Sequence, residues 1–97
     1  MEDLIDIYHK VNQFGRDNGM KLTIKSPGNI HYEMEVLEKH LATKTTIHGG
    51  MIAAMMDGVL GVAALTAVVK DRRLVSTVEF KINYYQPAFL GDVLKGI

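Results

Sequence analysis

Residues 51–69, MIAAMMDGVLGVAALTAVV, form a 19-residue apolar run that carries a single charge, Asp57. As a helix such a run approaches the length of a membrane span. Three features argue for the core of a globular domain instead. The run is rich in Ala and Gly rather than Leu and Ile. Asp57 would lie near the bilayer centre, at a cost of roughly 2.5–3.5 kcal/mol on insertion scales. The flanking segments alternate polar and apolar residues, as strands of a sheet do. A helix apolar on nearly every side must be wrapped, not merely laid on a surface. Every other element of a chain this short is therefore answerable to that helix.

The neighbouring segments supply the wrapping. Residues 3–14, DLIDIYHKVNQF, place Leu4, Ile7, Tyr8, Val11 and Phe14 at spacings of three and four, which predicts an amphipathic helix. Gly15 and the DNG at 17–19 end it. MKLTIKS at 20–26 then alternates Met20, Leu22 and Ile24 against Lys21, Thr23 and Lys25. After a PGN turn at 27–29, IHYEMEVLE places Ile30, Tyr32, Met34 and Val36 on one face. Together these predict an antiparallel hairpin with one solvated face. A polar loop, KHLATKTT, leads to the central helix at about 49–69, and KDRR at 70–73 closes it, with basic residues suited to the negative end of the helix dipole. LVSTVEFKINYYQ at 74–86 is predicted as a long strand, with Ser76, Val78, Phe80, Ile82 and Tyr84 on one face. PAFLGD turns the chain and VLKGI at 93–97 starts another strand. Three or four strands can cover one side of the helix. The other side needs more chain or a partner subunit.

Composition narrows the function. The 97 residues make one domain, 47% hydrophobic, with mean hydropathy +0.06. Eleven basic residues balance eleven acidic ones, which argues against nucleic-acid binding, where phosphate contacts need concentrated positive charge. The absence of Cys excludes disulfides, thiolate metal sites and a Cys nucleophile. MEDLIDIY lacks the basic segment and apolar core of a secretory signal, so a cytoplasmic protein is expected. His9, His31 and His40 are scattered on polar segments, and no His/Asp/Glu group has metal-ligand spacing. No metal and no cofactor are expected.

Two features carry chemistry. His48-Gly49-Gly50 stands at the mouth of the central helix, where backbone N–H groups are unpaired and the dipole is positive. Glycine there lets an acyl or phosphate oxygen approach the main chain, as in an oxyanion hole. The same tripeptide also reads as a tight loop-to-helix turn capped by His48. Asp57 follows His48 by nine residues, ~13.5 Å along the axis and about 180° around it. The two cannot meet within one helix, so a site using both must combine two copies. Alternatively Asp57 is a structural carboxylate satisfied by backbone or hydroxyl partners. Gly58 and Gly61 each cost about 1 kcal/mol against Ala in a helix interior, and point to close approach by a chain or a ligand.

HGGMIAAMMDGVLGVAAL followed by STVEFKINYYQPAFLGDVL resembles the hotdog-fold acyl-CoA thioesterases of the phenylacetic-acid (PaaI-like) branch, over about residues 20–97. The resemblance implies an α+β hotdog fold: a curved antiparallel sheet wrapped around the long central helix, here preceded by the N-terminal helix. It implies a homodimer or homotetramer with active sites between subunits. It implies hydrolysis of a small or medium, possibly aryl, acyl-CoA, with CoA entering only as part of the substrate. In that scheme Asp57 is the general base or nucleophile, the Gly49 N–H of the neighbouring protomer stabilises the oxyanion, and Thr77 orients the water. His48 and Gly50 adjoin the substrate, and Lys70, Arg72 and Arg73 are placed to meet CoA phosphates, or form a solvated helix end. Two departures accompany the match. Ala42 stands where the family often has an Asn that polarises the carbonyl, with Thr43, Thr45 and Thr46 as nearby substitutes. The single domain over 1–97 is also expected to lack the last one or two strands. A non-catalytic acyl-CoA-binding module is the alternative. A hotdog dehydratase lacks its expected motif here, and a purely structural assembly protein remains the third rival.

Overall fold

The structure is a computed structural model that describes residues 2–97, with side chains described from residue 6 onward. Its centre is the helix α3, Gly49–Val68, laid across a three-stranded antiparallel sheet. The strands are β1 (Lys21–Ser26), β2 (Asn29–Glu35) and β3 (Val93–Gly96), in the spatial order β1-β2-β3. This is the α+β arrangement expected from the sequence.

β2 sits in the middle because it alone has a fully buried inner row. Ile30, Tyr32, Met34 and Val36 are buried, while Glu33 and Glu35 between them are exposed. They pack against Met55, Val59 and Val62, one stripe of α3 at spacings of four and three. Met20, Leu22 and Ile24 add the predicted inner row of the first strand. The hairpin closes on Pro27-Gly28, with Gly28 at φ +80°, a conformation that favours glycine. Buried Thr66 of α3 anchors that turn: its hydroxyl accepts the Gly28 N–H (2.9 Å) and donates to the Ala63 carbonyl (2.8 Å). β3 reaches α3 through Gly96, where a Cβ would stand 2.5 Å from Val59 Cγ2.

Helix α3 continues as a 3₁₀ turn, Val69–Asp71, and ends at Arg72, which takes the left-handed conformation (φ 58°) usual for a helix C-terminus. The stretch Gly49–Asp71 is long and apolar enough to cross a membrane by length and composition, yet its buried stripe packs on a sheet. Most of its other residues are half-buried, and Leu60, Ala64 and Ala67 form an exposed stripe on the side away from the sheet.

Three expectations need correction. The N-terminal helix is two pieces, α1 (Glu2–Val11) and α2 (Gln13–Asp17). Asn12 breaks it because its side chain accepts the Gly15 N–H (3.1 Å), capping a new helix. Of the apolar stripe, Tyr8 is half-buried, whereas Ile7, Val11 and Phe14 are exposed; the Leu4 side chain lies outside the described residues.

The second correction concerns residues 74–86, which form no ladder. The segment is instead fastened to α3, by Thr77 to Asp57 and by Tyr84 to Gly49. Val78, expected on the inner face, is 96% exposed.

Third, His40 is not a surface residue. It is 1% exposed, closing a 3₁₀ turn, Glu38–His40. Its Nδ1 accepts the Leu37 N–H (3.0 Å), so the ring proton resides on Nε2 and is donated to Asn18 Oδ1 (3.1 Å). Its carbonyl accepts the His48 N–H (2.8 Å). One neutral imidazole thus ties the end of α2 to the residue that starts α3. Burial, aided by the nearby Lys39 charge, lowers its pKa from the ordinary value of 6.5.

The unfolded chain therefore takes up this proton first as pH falls, and stability is lost from about pH 6.5 downward. Urea denaturation at pH 7.5 and 5.5 is expected to show a lower midpoint at the acid pH. In His40→Gln that difference shrinks, because the titrating group is gone. At Gly96, substitution by Ala is expected to overpack Val59 and lower stability by about 1–3 kcal/mol, measured by the same method.

Candidate active site

Asp57 is the ninth residue of α3 and half-exposed, about 160° around the helix from Val59 and so turned away from the sheet. Its Oδ1 accepts a hydrogen bond from the Thr77 hydroxyl. Oδ2 has no hydrogen-bond partner among the described residues. The pair borders a cavity of about 340 Å³ lined by Gly58, Gly61, Leu65 and Val75 and, from α1, by Tyr8. A carboxylate at the edge of an apolar recess, with a hydroxyl fixed beside it, can hold and activate a water molecule. It is a site of the concave, mostly apolar kind that binds small molecules.

The two helix glycines have separate explanations. A Cβ at Gly58 would lie 3.7 Å from the ring of Tyr32, in ordinary van der Waals contact with β2. At Gly61 a Cβ would meet nothing within 4 Å. Tyr32 is 2% exposed, and its hydroxyl is bonded to that of Tyr8 (3.0 Å). Burial, then the bond to Tyr8, raises the Tyr32 phenol well above its ordinary pKa and keeps it neutral.

At the helix start, His48 caps α3: its Nδ1 accepts the Gly50 N–H (2.8 Å). The capping role open in the sequence is therefore realised, and the Gly50 N–H is occupied by it. The Gly49 N–H, in contrast, has no partner among the described residues. The Gly49 carbonyl accepts the Tyr84 hydroxyl (2.9 Å), with the Tyr84 ring packed 3.5 Å from the position of a Gly49 Cβ. A second recess, about 390 Å³, opens here between Gly49, Ile52, Tyr84 and Pro87.

The fold thus joins Asp57 to Thr77 and keeps Gly49 apart from them, at the other recess. Lys70, Arg72 and Arg73 are exposed beyond the C-terminal end of α3. Ala42 is exposed in a small hairpin closed by the Leu41–Ile47 bridge. The hydroxyls of Thr43 and Thr46 bond to each other, and Thr43 Oγ1 also accepts the Thr46 N–H (3.0 Å). Thr45 is exposed, with its N–H 3.3 Å from the same oxygen. Among the described residues no group of three His, Asp or Glu could hold a metal ion.

Sequence reasoning did not mark Tyr8 or Tyr84 as site residues. Helical spacing identifies Tyr8 as part of an apolar stripe, and strand alternation places Tyr84 inward. Neither pattern says that each hydroxyl finds a partner across the fold.

Removal of the helix cap by His48→Ala is expected to cost about 0.5–2 kcal/mol of stability. His48→Asn should recover most of the loss, both read from urea midpoints.

Comparison with known proteins places these residues in context. Residues 44–96 match the model of the thioesterase superfamily. Acyl-coenzyme A thioesterase 13 of Homo sapiens, like that of Pongo abelii, is 34% identical over 94 residues, which covers 95% of this chain and 65% of the relative. A Caenorhabditis elegans protein provisionally named an esterase is 41% identical over 63 residues, 65% of this chain and 36% of that protein. The chain therefore spans between about a third and two thirds of the length of these relatives.

Proposed function

Because the chain belongs to the thioesterase superfamily and carries its hotdog-type domain, we propose that it hydrolyses the thioester of a small or medium acyl-CoA. The observation that carries the proposal is the Asp57–Thr77 pair at the edge of an apolar cavity. Similarity to acyl-coenzyme A thioesterase 13 over nearly the whole chain supports the substrate class. In the proposed reaction the acyl group enters the cavity, and Asp57 takes a proton from water as the water oxygen attacks the carbonyl carbon. Thr77 orients that water. The carbon–sulfur bond then breaks, the thiolate recovers the proton, and a carboxylic acid and free CoA leave. Direct attack by the carboxylate, followed by hydrolysis of the anhydride, is the variant of the same scheme.

The developing oxyanion needs an N–H donor. Gly49 has one unpaired, at the positive end of a helix of 20 residues. Asp57 lies eight residues further on, ~12 Å along the axis, and borders a different recess. A second protomer bringing its own helix start to Asp57 completes the site, and the exposed stripe of α3 is available to it. The assembly is then a homodimer, or a tetramer of two dimers, in the cytoplasm. Lys70, Arg72 and Arg73 supply charge for the CoA phosphates, and His48 and Gly50 shape the entrance by fixing the helix start. No cofactor enters beyond the CoA of the substrate. The PaaI-like branch is the closest description of this arrangement.

One observation favours a second reading, a non-catalytic acyl-CoA-binding module. Ala42 offers no amide, and the hydroxyls of Thr43 and Thr46 are engaged within their own turn.

Thiol release from a panel of acyl-CoA esters separates the two readings. Asp57→Asn is expected to lower turnover by about 10²–10⁴-fold with the urea midpoint retained; near-wild-type turnover overturns the role given to Asp57. Gly49→Pro removes the N–H at the helix position where Pro is best tolerated, and is expected to lower turnover by about 10²–10³-fold. Mixing the two inactive variants under conditions of subunit exchange should restore activity, since each hybrid dimer rebuilds one intact site. A site contained in one chain gives no restoration.

A further inference from the structure

The 340 Å³ cavity follows α3 away from the carboxylate: Asp57, Gly58, Gly61, Val62 and Leu65 line it in succession, two turns of helix and ~12 Å of rise. The Tyr32 ring packs beside Gly58, at ordinary van der Waals distance from a Cβ built there. Nothing packs that closely on the Gly61 position. It lies mid-helix, where Gly is disfavoured against Ala, has ordinary helical backbone, and a Cβ there meets no atom within 4 Å. It borders this cavity and also the neighbouring groove of about 210 Å³ between Leu60, Ala64 and Phe80. Tyr8 also lines the cavity, and its hydroxyl is bonded to that of buried Tyr32.

We propose that the acyl chain lies along α3 from Asp57 past Gly61 towards Leu65, and that Gly61 sets the length and bulk of the chain accepted, with Tyr8 as a further lining residue. The proposal rests on the acyl-CoA reading above and adds its specificity determinants. An unbranched apolar chain suits a recess whose only charged lining residue among those described, Asp57, is at one end. A side chain at position 61 would occupy the middle of that path, beyond the reach of a short acyl group but within that of a longer one.

The test is the chain-length profile of thiol release, from acetyl-CoA to dodecanoyl-CoA, for wild type, Gly61→Ala, Gly61→Val and Tyr8→Ala. Gly61→Val is expected to lower kcat/KM for the longest esters accepted by wild type by at least about tenfold, as lost methylene-sized space does in an apolar pocket. The shortest esters should change less than about threefold. Gly61→Ala, whose added methyl clears every neighbour, keeps the test valid if the Val variant misfolds, and should shift the profile in the same direction. Tyr8→Ala should widen acceptance towards branched or aryl groups. Profiles unchanged in both position-61 variants, or lowered equally at every length, overturn the assignment. If wild type releases no thiol from any ester, the hydrolase reading falls, and calorimetry with non-hydrolysable alkyl-CoA thioethers decides the channel. Length-dependent weakening in Gly61→Ala or Gly61→Val upholds it. Equal affinity across lengths and variants removes it.

Discussion

Burial of one stripe of α3 against β2 is the interaction on which the rest of this fold depends. Val59, Val62 and Met55 meet Tyr32, Met34 and Val36, all nearly inaccessible to water. Side chains of this size stabilise by about 1.5–3 kcal/mol each when fully buried, so this seam outweighs any single polar contact in the chain. The other attachments refine its placement. Thr66 pins the hairpin turn, Gly96 lets β3 lie close to the helix, and His40 joins the N-terminal helices to the helix start.

The seam also determines where function can lie. Once Val59 and Val62 face the sheet, Asp57 and Gly61 turn away from it, beside the segment 74–86. That segment has no strand neighbour among the described residues and is held through side chains, Thr77 on Asp57 and Tyr84 on Gly49. Asp57 is therefore both the proposed base and a fastening point, so a charge-neutral isostere such as Asn is more informative there than Ala. The half-exposed position also explains how a carboxylate persists in an apolar run. It is not buried in the seam, and it does not bear the desolvation cost of a core charge.

Much of this was legible in the residues. Period-two alternation located β1 and β2 and their inner faces, and the resemblance carried by HGG, Asp57 and Thr77 led to the family. The failures have local physical causes. Asn12 interrupts the first helix because its side chain competes for the Gly15 N–H, an effect hidden from apolar periodicity. Alternation over 74–86 predicts a strand, yet the segment has no ladder partner among the described residues and is held by side chains instead. His40 lies in a polar stretch, yet burial requires only that both ring nitrogens find partners, and Asn18 and Leu37 supply them from elsewhere in the chain.

By itself the sequence determined the apolar helix, the alternating hairpin, the absence of thiol chemistry and the nine-residue offset between His48 and Asp57. These follow from periodicity and composition, which act along the chain. Only the tertiary structure decided that Asp57 bonds Thr77, that His48 is committed to capping, that Tyr32 packs beside Gly58 and that the space at Gly61 stays open. Such distinctions depend on which side chains meet across tens of residues, and two glycines three positions apart are chemically identical until the fold gives them different neighbours.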